Sequence, residues 1–236
     1  MKVVLLIAGI GHRLGEKTKT IPKSLLEINN KPILFHIVDR IVDNGIKDFV
    51  VVVGYKKEKI INALKKKYPH LNFQFVINEI YDKTNTMYSL SLTKKYINNG
   101  IIYAHGDVIV NKNILNDLLD PKNKNAAIVE PSKESMQAFG SGGIITKISK
   151  KKDAIGKALG IYKFSQETVL EIFNEAEKII KTGSINVFQS EAINPVIMKH
   201  RMDLVSTRGR SWVEVDDEND LIKAERILKK IEDEEG

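Results

Sequence analysis

The chain has 236 residues, of which 42% are hydrophobic and 28% charged, with a formal net charge of +7 and no cysteine. That length accommodates one large α/β domain with a substantial core, and that composition excludes a disordered chain. Disulfides, thiolate metal sites and cysteine nucleophiles are excluded together.

No run approaches the roughly 20 apolar residues of a membrane span. The start, Met1 to Gly9, holds an apolar run after Lys2, but the run is too short for a signal peptide and leads into glycines and charges. It reads as a buried first strand, and the cytoplasm is the expected compartment, with no membrane insertion. A basic chain suits nucleic acid, a membrane surface or a phosphorylated small molecule. No aromatic-basic interleaving or recognition helix accompanies the lysines, so nucleic acid is not an expected partner.

In chain order, the continuous apolar run 3–7 predicts a strand buried on both faces. A glycine loop comes next, and 18–23 reads as extended. Helical spacing covers 33–42, between Pro32 and the stop Asn44-Gly45. A second strand is expected over 49–53, a helix over 58–67 and a third strand over 72–77. A helix is expected over 85–97, capped by Thr84 or Asn85, and a strand over 100–104. Further strands are expected at 126–130, 142–148 and 160–164. A helix over 167–181 is capped by Ser165. A late strand at 211–215 precedes a terminal helix over 219–232.

Strands alternating with helices in the first half predict a parallel α/β sheet. There is no internal repeat and no low-complexity linker. One domain over 1–236, with a small inserted β region, is the expected organisation. The turn signal Phe139 to Gly143 is read as lying near a site or a subunit contact, which leaves a homodimer open.

Ala8-Gly9-Ile10-Gly11-His12-Arg13 directly succeeds the first strand, where α/β proteins bind ligands at the carboxyl edge. Glycines let backbone N–H groups approach phosphates. The loop lacks the Gly-Lys-Ser/Thr of a P-loop and the third glycine of a dinucleotide fold. Instead it brings two cations, Arg13 and Lys23, near the phosphate position. Asp107 closes the segment Tyr103-Ala104-His105-Gly106-Asp107 at another strand end, and oxygen ligands there suit Mg²⁺.

Leu6 to Leu14, then Thr20-Ile21-Pro22-Lys23-Ser24-Leu25, then Asn30-Lys31-Pro32-Ile33, resemble the signature of the nucleotidyltransferase family. The similarity is nearest to the branch that includes cytidylyltransferases for phosphocholine, inositol-1-phosphate and phosphonates. The resemblance implies a Rossmann-like fold, a mixed and mostly parallel sheet flanked by helices. It implies that Arg13 and Lys23 hold a triphosphate on the loop of Ala8, Gly9 and Gly11. It places Asn78 and Thr84 by the base.

Trp212-Val213-Glu214-Val215-Asp216 resembles the family's late segment, so Asp216 is implied as the second Mg²⁺ ligand beside Asp107. Asp220 is read as support for the last helix, and Glu214 is given no role. His12 and His105 are read as spectators. Lys157, Glu191, Arg208 and Arg210 are the acceptor-side candidates. The implied activity is Mg²⁺-dependent transfer of CMP from CTP to a small phosphorylated alcohol or polyol, with release of pyrophosphate. The alternatives are a sugar-1-phosphate nucleotidylyltransferase using UTP or another triphosphate, and a non-catalytic nucleotide-sensing module.

Overall fold

The computed structural model describes residues 1–131, 137–149 and 155–236. Strand β1 (Lys2–Ile7) leads into the glycine loop. One helical turn, α1 (Lys17–Thr20), is succeeded by the short strands β2 (Glu27–Ile28) and β3 (Lys31–Pro32). Helix α2 (Ile33–Asp43), β4 (Asp48–Val53), α3 (Lys57–Lys67) and β5 (Asn72–Ile77) complete the wound half. Then come α4 (Thr86–Ser91), β6 (Ile101–His105), β7 (Val108–Val110) and α5 (Lys112–Leu119). The inserted β region holds β8 (Ala126–Glu130), β9 (Gln137–Ser141), β10 (Ile144–Ser149) and β11 (Gly156–Phe164). Helices α6 (Gln166–Lys181) and α7 (Ser190–Ile197), strands β12 (Asp203–Ser206) and β13 (Trp212–Glu214), and helix α8 (Glu218–Glu235) end the chain.

The main sheet runs β5-β4-β1-β6-β11-β8-β12-β10-β9. Strands β5, β4, β1 and β6 are parallel. Strand β11 joins β6 and β8 antiparallel, and β9 also touches β11. From β1 the chain first lays strands to one side, then returns to place β6 on the other. The β1/β6 boundary is therefore the topological switch point, where the loops part to leave a crevice.

Strand β1 is buried on both faces, which is why it reads as an unbroken apolar run. Val3, Leu5 and Ile7 pack into one core with α2, α3, α5 and α8. Val4, Leu6 and Ala8 pack into the other with α4, α6 and α7.

Three departures from the expected elements have local causes. Residues 18–23 are not uniformly extended. Lys17–Thr20 close a helical turn because the Thr18 hydroxyl lies 3.3 Å from the Gly11 carbonyl and 3.2 Å from that of Gly15. The helix expected over 85–97 stops at Ser91. The hydroxyls of Ser91 and Thr93 each take a carbonyl three residues back, at 2.7 Å, and compete with the helical ladder. Helix α7 carries Pro195 inside it, a residue that argues against a helix in sequence.

The turn between β2 and β3 sets the path of the chain beyond Lys23. Asn29 and Asn30 have φ of 51° and 60°, the left-handed pair of a two-residue hairpin. His36 on α2 locks this hairpin, its Nε2–H donating to the Ile28 carbonyl at 3.0 Å. Burial pushes the His36 pKa below the usual histidine value, and Lys31 and Arg40 add to this against the carbonyl and Glu232. The folded protein thus keeps His36 neutral where the unfolded chain takes up a proton. Stability is full above the unfolded pKa of roughly 6.5 and falls as pH drops from there toward the lower folded value. Between about pH 7.5 and 5.5 the melting temperature of the wild type should fall more than that of His36→Gln. Parallel pH dependence in the two proteins would refute this.

Candidate active site

The crevice at the switch point is a cavity of about 420 Å³. The glycine loop supplies one wall. Gly11 sits at φ 76°, and a Cβ there would lie 2.8 Å from Lys23 Cβ. Glycine therefore permits both the turn and the close passage of Lys23. Gly106 supplies a second close approach, because a Cβ there would lie 1.9 Å from Ile7 Cγ2. Its N–H donates to the Leu6 carbonyl at 3.1 Å, so the end of β6 lies flat against the end of β1. This presents Asp107 beside the loop.

Asp216 arrives from the far end of the chain. Strand β13 pairs antiparallel with β7, outside the main sheet. The Val215 N–H donates to the Asp107 carbonyl at 2.9 Å, so the next residue, Asp216, lands next to Asp107. Lys23 Nζ then bridges the pair, 2.8 Å from Asp107 Oδ2 and 3.0 Å from Asp216 Oδ1. Arg13 Nη2 reaches the same Asp216 oxygen at 2.9 Å while its side chain stays largely exposed.

Burial alone would lower the Lys23 pKa, but the two carboxylates outweigh it and hold the ammonium above its ordinary value. Burial would likewise raise Asp107, yet Lys23, with His105, keeps its carboxyl below the usual range. Each charge stabilises the other's ionised form. The charged forms of Lys23 and Asp107 are thus favoured by their meeting.

The donor set fits a hard divalent cation. Asp107 Oδ1 is buried and has no hydrogen-bond partner among the described residues, and neither has the neighbouring Ser24 Oγ. Two convergent carboxylates and an unspent buried oxygen are the ligands Mg²⁺ takes, usually together with substrate phosphates.

Of the residues singled out from the sequence, Ala8, Gly9, Gly11, Arg13, Lys23, Thr84, Asp107 and Asp216 line this one cavity. Asn78 lies behind the lining, only 1% exposed. Its amide is fully engaged: Nδ2 donates to Thr84 Oγ1 and Ser89 Oγ, and Oδ1 accepts from the Ile80 N–H. It holds the loop carrying Thr84. Glu191 lies exposed in the first turn of α7, away from the lining. Arg210 and Arg208 turn to Asp117, at 2.6 and 3.9 Å, and do not line it either. Lys157 pairs with Glu214 in an adjoining groove.

The lining also contains His12, Ser24, Tyr81, Asn85, Thr86, Ser89 and His105, to which sequence reasoning gave no nucleotide role. The polar run 84–86, between a strand and a helix, was the available signal. Thr86 bonds Gln189 through both its hydroxyl and the Gln189 N–H, tying α7 to the cavity. His105 Nε2 meets the Tyr103 hydroxyl at 2.8 Å.

A glycine loop at the switch point, two carboxylates on one lysine and a polar far wall share one cavity. Residues 3–207 match the MobA-like NTP transferase domain, and the chain belongs to that family. It is a nucleotidyltransferase.

The chain is 26% identical to choline-phosphate cytidylyltransferase of Streptococcus pneumoniae over 97% of its own length and 99% of that protein's. It is 24% identical to CTP:phosphoglutamine cytidylyltransferase of Campylobacter jejuni, over 94% and 98%. The solved structure of CTP:phosphocholine cytidylyltransferase from Streptococcus pneumoniae superposes with a TM-score of 0.81, covering 96% of this chain and 98% of that one. Among the described residues no helix is long and apolar enough to cross a membrane.

Asp220 is the brace for Asp216. Its Oδ2 accepts from the N–H groups of Asp216 and Asp217, while its own N–H donates to Asp217 Oδ1, forming the capping box of α8. Asp220→Ala should lower the unfolding free energy by about 1 kcal/mol, the usual worth of a cap. A urea titration with an unchanged midpoint would contradict this role.

Proposed function

We propose that this protein transfers CMP from CTP to a small phosphorylated alcohol or polyol and releases pyrophosphate. The observation that carries the proposal is the convergence of Asp107 and Asp216 on Lys23 at the mouth of the glycine loop. The full-length similarity to two cytidylyltransferases supports the choice of CTP.

The triphosphate lies on the N–H groups of the loop from Gly9 to Gly11, with the base toward Thr84, Thr86 and Tyr81. Asp107 and Asp216 would hold Mg²⁺, which when bound would supply charge neutralisation at the phosphates. Phosphoryl-type transfer depends on positioning and electrostatics more than on a protein nucleophile. An oxygen of the acceptor phosphate attacks the α-phosphorus in line. A new P–O bond forms as the bond from the α-phosphorus to its bridging oxygen breaks, and pyrophosphate leaves with the electron pair. Lys23 and Arg13 face the charge that grows on pyrophosphate. The acceptor phosphate is already anionic, so no side chain need act as base, and His12 and His105 line the site without a proton to move.

The test is pyrophosphate release with Mg²⁺ for four triphosphates against phosphocholine, inositol-1-phosphate, aminoethylphosphonate and glucose-1-phosphate. CTP with a small phosphorylated alcohol or polyol is the expected pair. UTP with glucose-1-phosphate would instead assign the sugar-phosphate chemistry to the same residues. CTP binding without turnover across the matrix would favour a sensing module. In the active pair, Asp107→Ala and Lys23→Ala should each reduce kcat by at least about a hundredfold, as removal of a charge-stabilising group commonly does. Near-normal turnover in Asp107→Ala would remove it from the metal site.

A further inference from the structure

A second groove, of about 350 Å³, opens beside the nucleotide cavity and shares Arg13 and Asp216 with it. Strand β13 forms its floor. Val213 and Val215 are buried, so Trp212, Glu214 and Asp216, which alternate with them, face the groove together. Trp212 is fixed from the side: its indole N–H donates to Glu130 Oε2 at 3.0 Å, an oxygen that also takes the Thr207 hydroxyl. Lys157, from β11, completes the wall. Its ammonium lies 2.6 Å from Glu214 Oε2 and 4.9 Å from the centroid of the Trp212 ring.

An acceptor with its phosphate near Arg13 and Asp216 extends its organic part over Trp212, Glu214 and Lys157. A quaternary ammonium would need an open aromatic face and an uncompensated carboxylate. Lys157 consumes both here. Its ammonium already covers the ring and neutralises Glu214, so a second cation would meet a like charge. Of the groove's other carboxylates, Asp216 is paired with Arg13 and Lys23, and Asp217 and Asp220 are committed to the cap of α8. A polyol meets the opposite situation. An ammonium donor beside a carboxylate acceptor matches neighbouring hydroxyls, and the indole offers an apolar face to the C–H side.

We infer that Lys157, paired with Glu214 over Trp212, is the acceptor filter: it selects a phosphorylated polyol with adjacent hydroxyls and rejects a quaternary-ammonium phosphate. This rests on the nucleotidyl-transfer reading above and names the acceptor class for the same site.

The experiment compares inositol-1-phosphate with phosphocholine as acceptors at saturating CTP and Mg²⁺, with CTP affinity measured separately by calorimetry. The wild type should favour inositol-1-phosphate in kcat/KM by at least about tenfold, the worth of one charge-assisted hydrogen bond. Lys157→Gln should lose about that factor for inositol-1-phosphate through KM, with CTP affinity unchanged as the check on folding. Lys157→Glu should raise phosphocholine turnover, since it uncovers the ring and adds a carboxylate. Preference of the wild type for phosphocholine overturns the inference. So does discrimination that survives Lys157→Gln, or failure to use inositol-1-phosphate while CTP binds. Loss of CTP binding in the wild type would overturn the nucleotidyl-transfer reading itself, a distinct result.

Discussion

The site depends on one ammonium group shared between two carboxylates. Lys23 meets Asp107 and Asp216, residues 84 and 193 positions away in the chain. Left without Lys23, Asp107 would lose the main cation that holds its buried carboxyl below the usual range. Left without the carboxylates, a half-buried ammonium would lose its charge more easily. The rest of the fold works to keep these three groups in reach. The glycine at position 11 lets the Lys23 side chain pass close, the glycine at position 106 lets β6 end flush with β1, and the β7–β13 pairing carries the last aspartate in. The same arrangement lets two carboxylates sit together at one wall of the cavity, with Lys23 between them.

Much of this was legible in the sequence. The apolar run 3–7 and the helical spacing of 33–42 result directly from burial on two faces and one face respectively. The loop and strand-end positions brought Arg13, Lys23 and Asp107 forward, the family resemblance brought Asp216, and the fold gathers all four on one cavity. Helix α5 also had its signals, an Asn111 cap and apolar residues at 114, 115 and 118, but it begins so soon after β7 that the two patterns run together. Helix α7 was hidden by its proline, and the early end of α4 by hydroxyls whose competing bonds only tertiary context reveals.

Side-chain partnerships were less legible than positions. Asn78 has the chemistry of a base reader, and nothing in the sequence shows that its amide is already spent on Thr84, Ser89 and Ile80. Arg208 and Arg210 look like phosphate ligands until Asp117, roughly ninety residues earlier, is found beside them. Glu214 carries no signal of its own because its meaning lies in Lys157, which comes from a different strand of a different sheet. A long-range ion pair leaves no periodic trace in a chain.

The two-stranded ribbon of β7 and β13 has a consequence for how the protein can vary. Trp212, Glu214 and Asp216 occupy alternate positions of a single extended segment, and Val213 and Val215 fill the interior between them. Alternation leaves no intermediate setting: sliding the segment by one residue would turn the valines outward and bury an indole and two carboxylates. A single inserted or deleted residue in the turn before Trp212 would therefore displace Trp212, Glu214 and Asp216 in one event. Point substitutions along the outer face would leave the frame intact. The ribbon thus tolerates changes in what is written on it and none in where the writing begins, so new acceptors are open to this fold by replacement of side chains but closed to it by changes in length.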